Sequence, residues 1–149
     1  MEDRFSEIRK NLAGCVGWNI RRANRAVSRF YDDVLRPSGL RITQFSLLAR
    51  VMELQPVTIN DLAEAVLMDR TTLGRNLKPL EKQGLVRIAP GPDRRTRLVT
   101  PTPEGGAALM RTLPLWQKAQ AHMRNKLGDD RADRLISDLR EAVAATRAE

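Results

Sequence analysis

The chain has 149 residues, 42% hydrophobic and 30% charged, which fits one domain with its own core and excludes disordered and collagen-like classes. Lys and Arg number 26 against 18 Asp and Glu, a formal net charge of +8 that points to a polyanionic partner, nucleic acid before membrane. One Cys and one His exclude an internal disulfide and the usual Cys/His zinc site, and neither a membrane-length apolar run nor a signal peptide is found.

Apolar residues from Phe5 through Ile8, Leu12, Val16, Ile20, Ala23, Val27 and Phe30 to Val34 step by threes and fours. That spacing predicts one long amphipathic helix from Phe5 to Leu35, stopped by the breaker cluster Arg36-Pro37-Ser38-Gly39. Some 30 helical residues would reach about 45 Å, more than a domain of this size covers alone. Part of the stripe is therefore expected to pack on a second copy of the chain. Thr43 is the expected N-cap of the next helix, which carries Phe45, Leu48, Val51 and Met52 and ends before Pro56. Thr58-Ile59-Asn60-Asp61 reads as a capping box opening a short helix with Leu62, Ala63 and Val66. Asp69 is a strong N-cap for a further helix that ends at Gly84.

Leu85–Ala89 and Thr96–Thr100 read as two short strands around the turn Pro90-Gly91-Pro92-Asp93. Pro103-Glu104 opens a long helix with Leu109, Leu113, Trp116, Met123 and Leu127 on its apolar side, kinked at Pro114. A last helix from about Asp130 carries Leu135, Ile136, Leu139 and Val143, while Asp32-Asp33 and Asp129-Asp130 fit helix-end roles.

The charge is localised. Residues 69–97 hold eight basic and three acidic residues, whereas 129–149 hold six acids and four bases. A basic segment with an acidic far end is the pattern of a binding face.

Helix, short helix, turn, helix and basic hairpin is the winged helix-turn-helix plan, in which the second helix of the pair enters the major groove. At about 100° per residue, Leu73, Leu77 and Leu80 share one side of that helix. Thr71, Arg75, Lys78 and Lys82 cluster opposite, with Thr72 beside them. Arg pairs bidentately with guanine, Thr offers a hydroxyl and a methyl, and Lys neutralises phosphate. Arg70 and Asn76 lie on the flanks, as phosphate or intrahelical partners. Pro79 is expected to bend the helix beyond the reading residues. The basic turn with Arg94, Arg95 and Arg97 can place one Arg in the adjacent minor groove, with Asp93 fixing the loop through a salt bridge.

Residues 40–105 resemble the MarR family of bacterial winged-helix transcription factors. The resemblance lies in Leu40–Gln44, Leu62-Ala63, Asp69–Leu73 and Arg75-Asn76-Leu77. It continues through Leu80-Glu81, Gly84-Leu85-Val86, Asp93-Arg94-Arg95, Leu98-Val99 and Thr102–Gly105. It implies a mainly α, winged helix-turn-helix fold with a two-stranded β wing and long terminal dimerisation helices. Residues 1–149 would be one domain, with 5–38 and 104–149 as dimerisation helices and 40–103 as the DNA-binding part. It also implies a cytoplasmic homodimer on a pseudo-palindromic double-stranded operator, usually a repressor, relieved by small aromatic ligands. By the same resemblance Arg95 is the wing-tip arginine, and Thr71, Thr72 and Arg75 lie on the reading helix.

The family's hydroperoxide-sensing branch has a reactive Cys near the start of its first helix. Aligning Tyr31 with the branch's second tyrosine puts Gly17 at the cysteine position and Arg21 at the first tyrosine. Cys15 is thus open to two readings, a redox-sensing thiol or a small hydrophobe in a dimer interface. Trp18, Phe30 and Tyr31 are either structural packing or the lining of an effector pocket, and His122 faces solvent or caps a contact.

No catalytic constellation is present: there is no nucleophile–His signature, Gly-rich phosphate loop or HExxH motif, so neither an enzyme nor a cofactor is expected. Between Phe45 and Trp116 there is no aromatic residue, which counts against a single-strand binder built on stacking. A winged-helix scaffold whose basic face holds an acidic protein is the competing class. Discrimination between DNA sequences separates it from a regulator.

Overall fold

The computed structural model describes residues 2–93 and 95–147. Among these residues seven α-helices and a three-stranded sheet follow one another, and the elements announced by the sequence come in the expected order. The first departure comes early: the single helix expected from Phe5 to Leu35 is two, α1 (Glu2–Gly14) and α2 (Val16–Leu35). Cys15 between them is extended, at φ −73° and ψ 117°. Two glycines, Gly14 and Gly17, weaken helix on either side of it. The Asn19 side chain donates to the carbonyls of Ala13 (2.9 Å) and Cys15 (3.0 Å), which stabilises the break.

After α2 a 3₁₀ turn over Arg36–Ser38 closes on Gly39, whose φ of 79° is left-handed and suits glycine. Helix α3 (Ile42–Leu54) starts before the expected cap, so Thr43 lies inside its first turn. The cap comes from farther away. Asp32 of α2 accepts the Ile42 N–H at 2.7 Å, and the Gln44 side chain accepts the Arg41 N–H at 2.9 Å. Asp33 meanwhile pairs with Arg36, so both acids have the helix-end roles expected of them.

Beyond Pro56 the residues Val57–Thr58 form a strand, β1, that the sequence did not announce. Thr58 then caps α4 (Ile59–Ala65): its hydroxyl accepts the Asp61 N–H at 3.1 Å and donates to the Asp61 carboxylate at 2.7 Å. Helix α5 (Arg70–Lys82) follows, then β2 (Val86–Pro90) and β3 (Arg97–Pro101). The sheet is antiparallel in the order β1-β3-β2, with Val99 opposite both Val57 and Ile88. The wing is therefore anchored by a third strand and is not an isolated two-stranded hairpin.

Helix α6 (Pro103–Leu127) runs through Pro114 as one element, and α7 (Asp129–Ala145) folds back on it after Gly128. Arg124 of α6 pairs with Asp129 (3.2 Å) and Asp133 (2.7 Å), hydrogen bonds that raise its already high pKa.

Two apolar clusters organise the chain. Leu48, Val51, Leu62, Leu73, Leu77, Leu80 and Val99 are fully buried at the centre of the winged-helix part. Tyr31, Leu35, Phe45 and Ala119 join α2, α3 and α6, with the rings of Phe45 and Trp116 stacked 5.9 Å apart. The second cluster ties the long helices to the winged-helix part. No helix among the described residues is long and apolar enough to cross a membrane.

Candidate nucleic-acid interface

Helix α5 owes its orientation to its leucines. Leu73, Leu77 and Leu80 are all 0% exposed, so the opposite face must point to solvent. Thr71, Arg75, Lys78 and Lys82 stand on that face, all exposed, with Arg70 at its edge. Among the described residues none of these four cations takes part in an intramolecular ion pair. Their charge is available to a partner.

The start of α5 is fixed by Asp69. Its carboxylate accepts the Thr72 N–H at 2.9 Å and the Thr72 hydroxyl at 2.6 Å. These hydrogen bonds hold the Asp69 carboxyl below its ordinary pKa. Thr72 is thus committed to the cap, although the residue itself is exposed. Asn76 is also occupied. Its amide donates to the Thr72 carbonyl at 2.9 Å and approaches the Met68 sulfur at 3.7 Å, the intrahelical option of the two expected for it.

The wing turn is built around Asp93. One carboxylate oxygen accepts the N–H of Arg95 (3.2 Å), the N–H of Thr96 (2.8 Å) and the Thr96 hydroxyl (2.6 Å). The bonds from Thr96 above all keep this carboxyl below its ordinary pKa. Asp93 therefore fixes the loop through backbone and hydroxyl donors, and among the described residues it makes no ion pair with Arg95 or Arg97. Arg95 and Arg97 are exposed, and Arg95 makes no ion pair among the described residues. Arg94 lies outside the described residues. At Gly91, the neck of the turn, an added Cβ would meet the Thr96 hydroxyl at 2.4 Å, so a side chain there would require Thr96 to shift.

The base of the wing is latched to α6. Thr102 donates its hydroxyl to the Gly84 carbonyl (2.6 Å) and its N–H to the Leu85 carbonyl (3.1 Å), while capping Gly105 N–H at 3.0 Å. The end of α5, the wing and the start of α6 thus form one connected unit.

The three aromatics considered for an effector do not gather at one point. Trp18 is exposed near the start of α2. Phe30 packs its ring 4.8 Å from the exposed His122 and 5.7 Å from Tyr31. Tyr31 is buried, donates its hydroxyl to the Gln120 side chain, and has its pKa raised by that burial. Of the three, only Tyr31 lines the cleft of about 580 Å³ between α2, α6 and α7, with Val27, Met123, Ile136 and Leu139. A second cleft of about 550 Å³ lies between α2, α3 and the α4–α5 turn, lined by Asn24, Ser28, Ser46, Arg50 and Met68. It has no aromatic lining, so the sequence carried no signal for it. Cys15 is exposed in the α1–α2 break.

A basic, unpaired helix face beside a basic wing defines a winged helix-turn-helix DNA-binding protein. The comparisons with known proteins agree. The MarR family profile matches residues 38–96. An HTH-type transcriptional regulator of Bacillus cereus is 32% identical over 108 residues, 72% of each chain. The Mycobacterium tuberculosis transcriptional regulator MosR, solved in complex with DNA, is 41% identical with a TM-score of 0.78, over 89% of this chain and 98% of its own. The transcriptional repressor CouR, bound to a 23-mer DNA duplex, is 25% identical with a TM-score of 0.80, over 89% of this chain and 94% of its own. The chain belongs to the MarR family of DNA-binding transcriptional regulators.

Proposed function

We propose that the protein is a cytoplasmic homodimeric repressor that grips a pseudo-palindromic operator and lets go when a small aromatic effector binds. The observation that carries the DNA-reading part is the outward face of α5, where Arg70, Arg75, Lys78 and Lys82, none of them in an ion pair among the described residues, share the exposed side with Thr71. In this reading Arg75 and Thr71 meet base edges, with the Thr72 methyl beside them. Arg70, Lys78 and Lys82 neutralise phosphates, and the basic wing of Arg94, Arg95 and Arg97 places one arginine, Arg95 at its tip, in the flanking minor groove. Asn76 supports the helix from within.

Dimerisation through residues 5–38 and 104–149 is supported by apolar surface that the single chain leaves open. Phe5, Ile8, Leu12 and Val16 on one side and Leu135, Ile136, Leu139 and Val143 on the other are each 38–67% exposed. A soluble domain rarely leaves such rows uncovered. Two reading helices in such a dimer would sit about one DNA turn, roughly 34–36 Å, apart. The effector seat is proposed at Tyr31, which lines the cleft between α2, α6 and α7; a ligand favouring a dimer with misfit helix spacing would shift binding by about 1–3 kcal/mol. The repressor role rests on the family resemblance and on the likeness to CouR.

The test is fluorescence-anisotropy titration of the DNA upstream of the protein's own gene against a scrambled duplex of equal composition, at near-physiological salt. A preference of about 10³-fold or more is expected of a specific regulator. If that duplex shows none, selection from genomic fragments follows. Failure of that selection to enrich any sequence would sink the reading in favour of a scaffold for an acidic protein.

A further inference from the structure

Gly74 sits in the interior of α5, one turn from its start, and it is exposed. Glycine is the poorest helix former after proline, so an interior glycine calls for a reason. Folding supplies none here. Gly74 has no left-handed φ, and a Cβ built on it meets nothing within 4 Å. The contrast with Gly105 is sharp, because there a Cβ would lie 2.1 Å from the Leu85 carbonyl oxygen. Gly105 is kept bare by the protein's own backbone, whereas Gly74 is bare toward the outside.

Its neighbours say what the outside holds. Arg70, Gly74, Lys78 and Lys82 follow one another at four-residue spacing, a single row along the helix with cations before and after the glycine. The row starts at the edge of the face with Arg70 and passes onto it with Lys78 and Lys82, so Gly74 stands at the border of the face that carries Thr71 and Arg75. A helix in the major groove meets groove wall and base edges along such a border, and the depth to which it enters is set by its bulkiest exposed residue there.

We propose that Gly74 is a specificity-determining residue, the point of closest approach between α5 and its DNA. The missing side chain lets the helix backbone seat against the groove, so that Arg70 and Lys78 reach phosphates on either side while Arg75 and Thr71 reach base edges. The inference rests on α5 being the reading helix. It adds that a methyl group at one position, carrying no charge and touching nothing in the protein, separates specific from non-specific binding. Non-specific binding is a looser electrostatic association and tolerates the methyl.

The experiment uses the full-length protein and the duplex that the unaltered protein enriches from a randomised DNA pool, with a scrambled duplex as control. Gly74→Ala and Gly74→Leu are compared with Arg75→Ala. Gly74→Ala is expected to raise the melting temperature by about 2–4 °C, through helix propensity alone. The same variant loses tenfold or more in affinity for the selected duplex, Gly74→Leu loses more, and both keep their affinity for the scrambled duplex within twofold. The salt dependence stays as it was, because no charge has changed. Unchanged or improved binding of Gly74→Ala to the selected duplex overturns the proposal, as does an equal loss on both duplexes. Arg75→Ala separates the two levels. If neither the Gly74 variants nor Arg75→Ala change discrimination between the duplexes, the assignment of α5 as the reading helix falls; if Arg75→Ala alone loses discrimination, only the role of Gly74 does.

Discussion

Thr72 gives its hydroxyl proton to Asp69 at 2.6 Å while its N–H bonds the same carboxylate at 2.9 Å. One residue thus both closes the N-terminus of α5 and borders the reading face. The cap sets where the helix begins and with it the position of Thr71 and Arg75.

Because the Asp69 carboxyl is held below its ordinary pKa by Thr72, the cap's contribution depends on pH with a definite sign. A depressed folded pKa means stability that is fully present above the unfolded value, about pH 4, and is lost as pH falls through the folded one. Asp69→Ala is expected to lower the melting temperature by a few degrees at pH 7, with a gap that shrinks as pH drops toward 2. Thermal unfolding followed by circular dichroism across that range checks it. A gap of constant size would show that the carboxylate is not the capping group.

The helix boundaries from Thr58 onward were legible because the signals are local: Thr58 and Asp69 as caps, Gly84 as terminator, Pro103 at a first turn. What stayed hidden depends on distance or on competition. The break at Cys15 is masked because Leu12, Val16 and Ile20 keep their four-residue step across it. The start of α3 was misplaced because its cap, Asp32, is ten residues upstream of Ile42. Strand β1 has two residues, too few for any alternation, and exists only because β3 offers an edge. Asp93 illustrates competition, since a carboxylate beside arginines also faces the turn's own N–H groups, and here it accepts those of Arg95 and Thr96. The cations on α5 were readable from periodicity. The bare position among them acquires meaning only once its surroundings are known to be empty.

Arg75 and Lys82 share the exposed face but are expected to fail differently. Arg75→Ala should cost about 1–3 kcal/mol of discrimination per half-site, because a bidentate base contact is lost. Lys82→Ala should weaken selected and scrambled duplexes alike and reduce the salt slope by about 1. Titrations of both duplexes at several salt concentrations distinguish them. Parallel losses for Arg75→Ala would remove it from the reading set.

Gly105 offers a test of the latch between wing and α6. A methyl there would lie 2.1 Å from the Leu85 carbonyl oxygen and 3.4 Å from a Leu48 methyl, and backbone cannot turn aside as a side chain can. Gly105→Ala is therefore expected to destabilise by about 1–3 kcal/mol or more, despite the better helix propensity of alanine. Urea denaturation measures it directly. A neutral or stabilising outcome would mean that α6 and the α5–β2 turn are not packed as described.

Leu139 tests the dimer without touching the DNA face. It is 42% exposed on α7 and lines the α2–α6–α7 cleft together with Ile136. Leu139→Glu places a charge on a row that the proposed second copy would cover, where an unpaired charge is costly. The variant should keep its helical circular dichroism yet become monomeric by light scattering. A monomer holds one half-site at a time, and loss of the linked second contact should reduce operator affinity about 10²–10⁴-fold. Met110→Glu is the control: Met110 is 65% exposed on α6 and does not line that cleft, so its variant should remain dimeric and bind normally. A Leu139→Glu protein that stays dimeric would place the dimer contact on another surface. One that becomes monomeric yet binds the operator as before would break the link between dimerisation and operator recognition, even with the reading face of α5 intact.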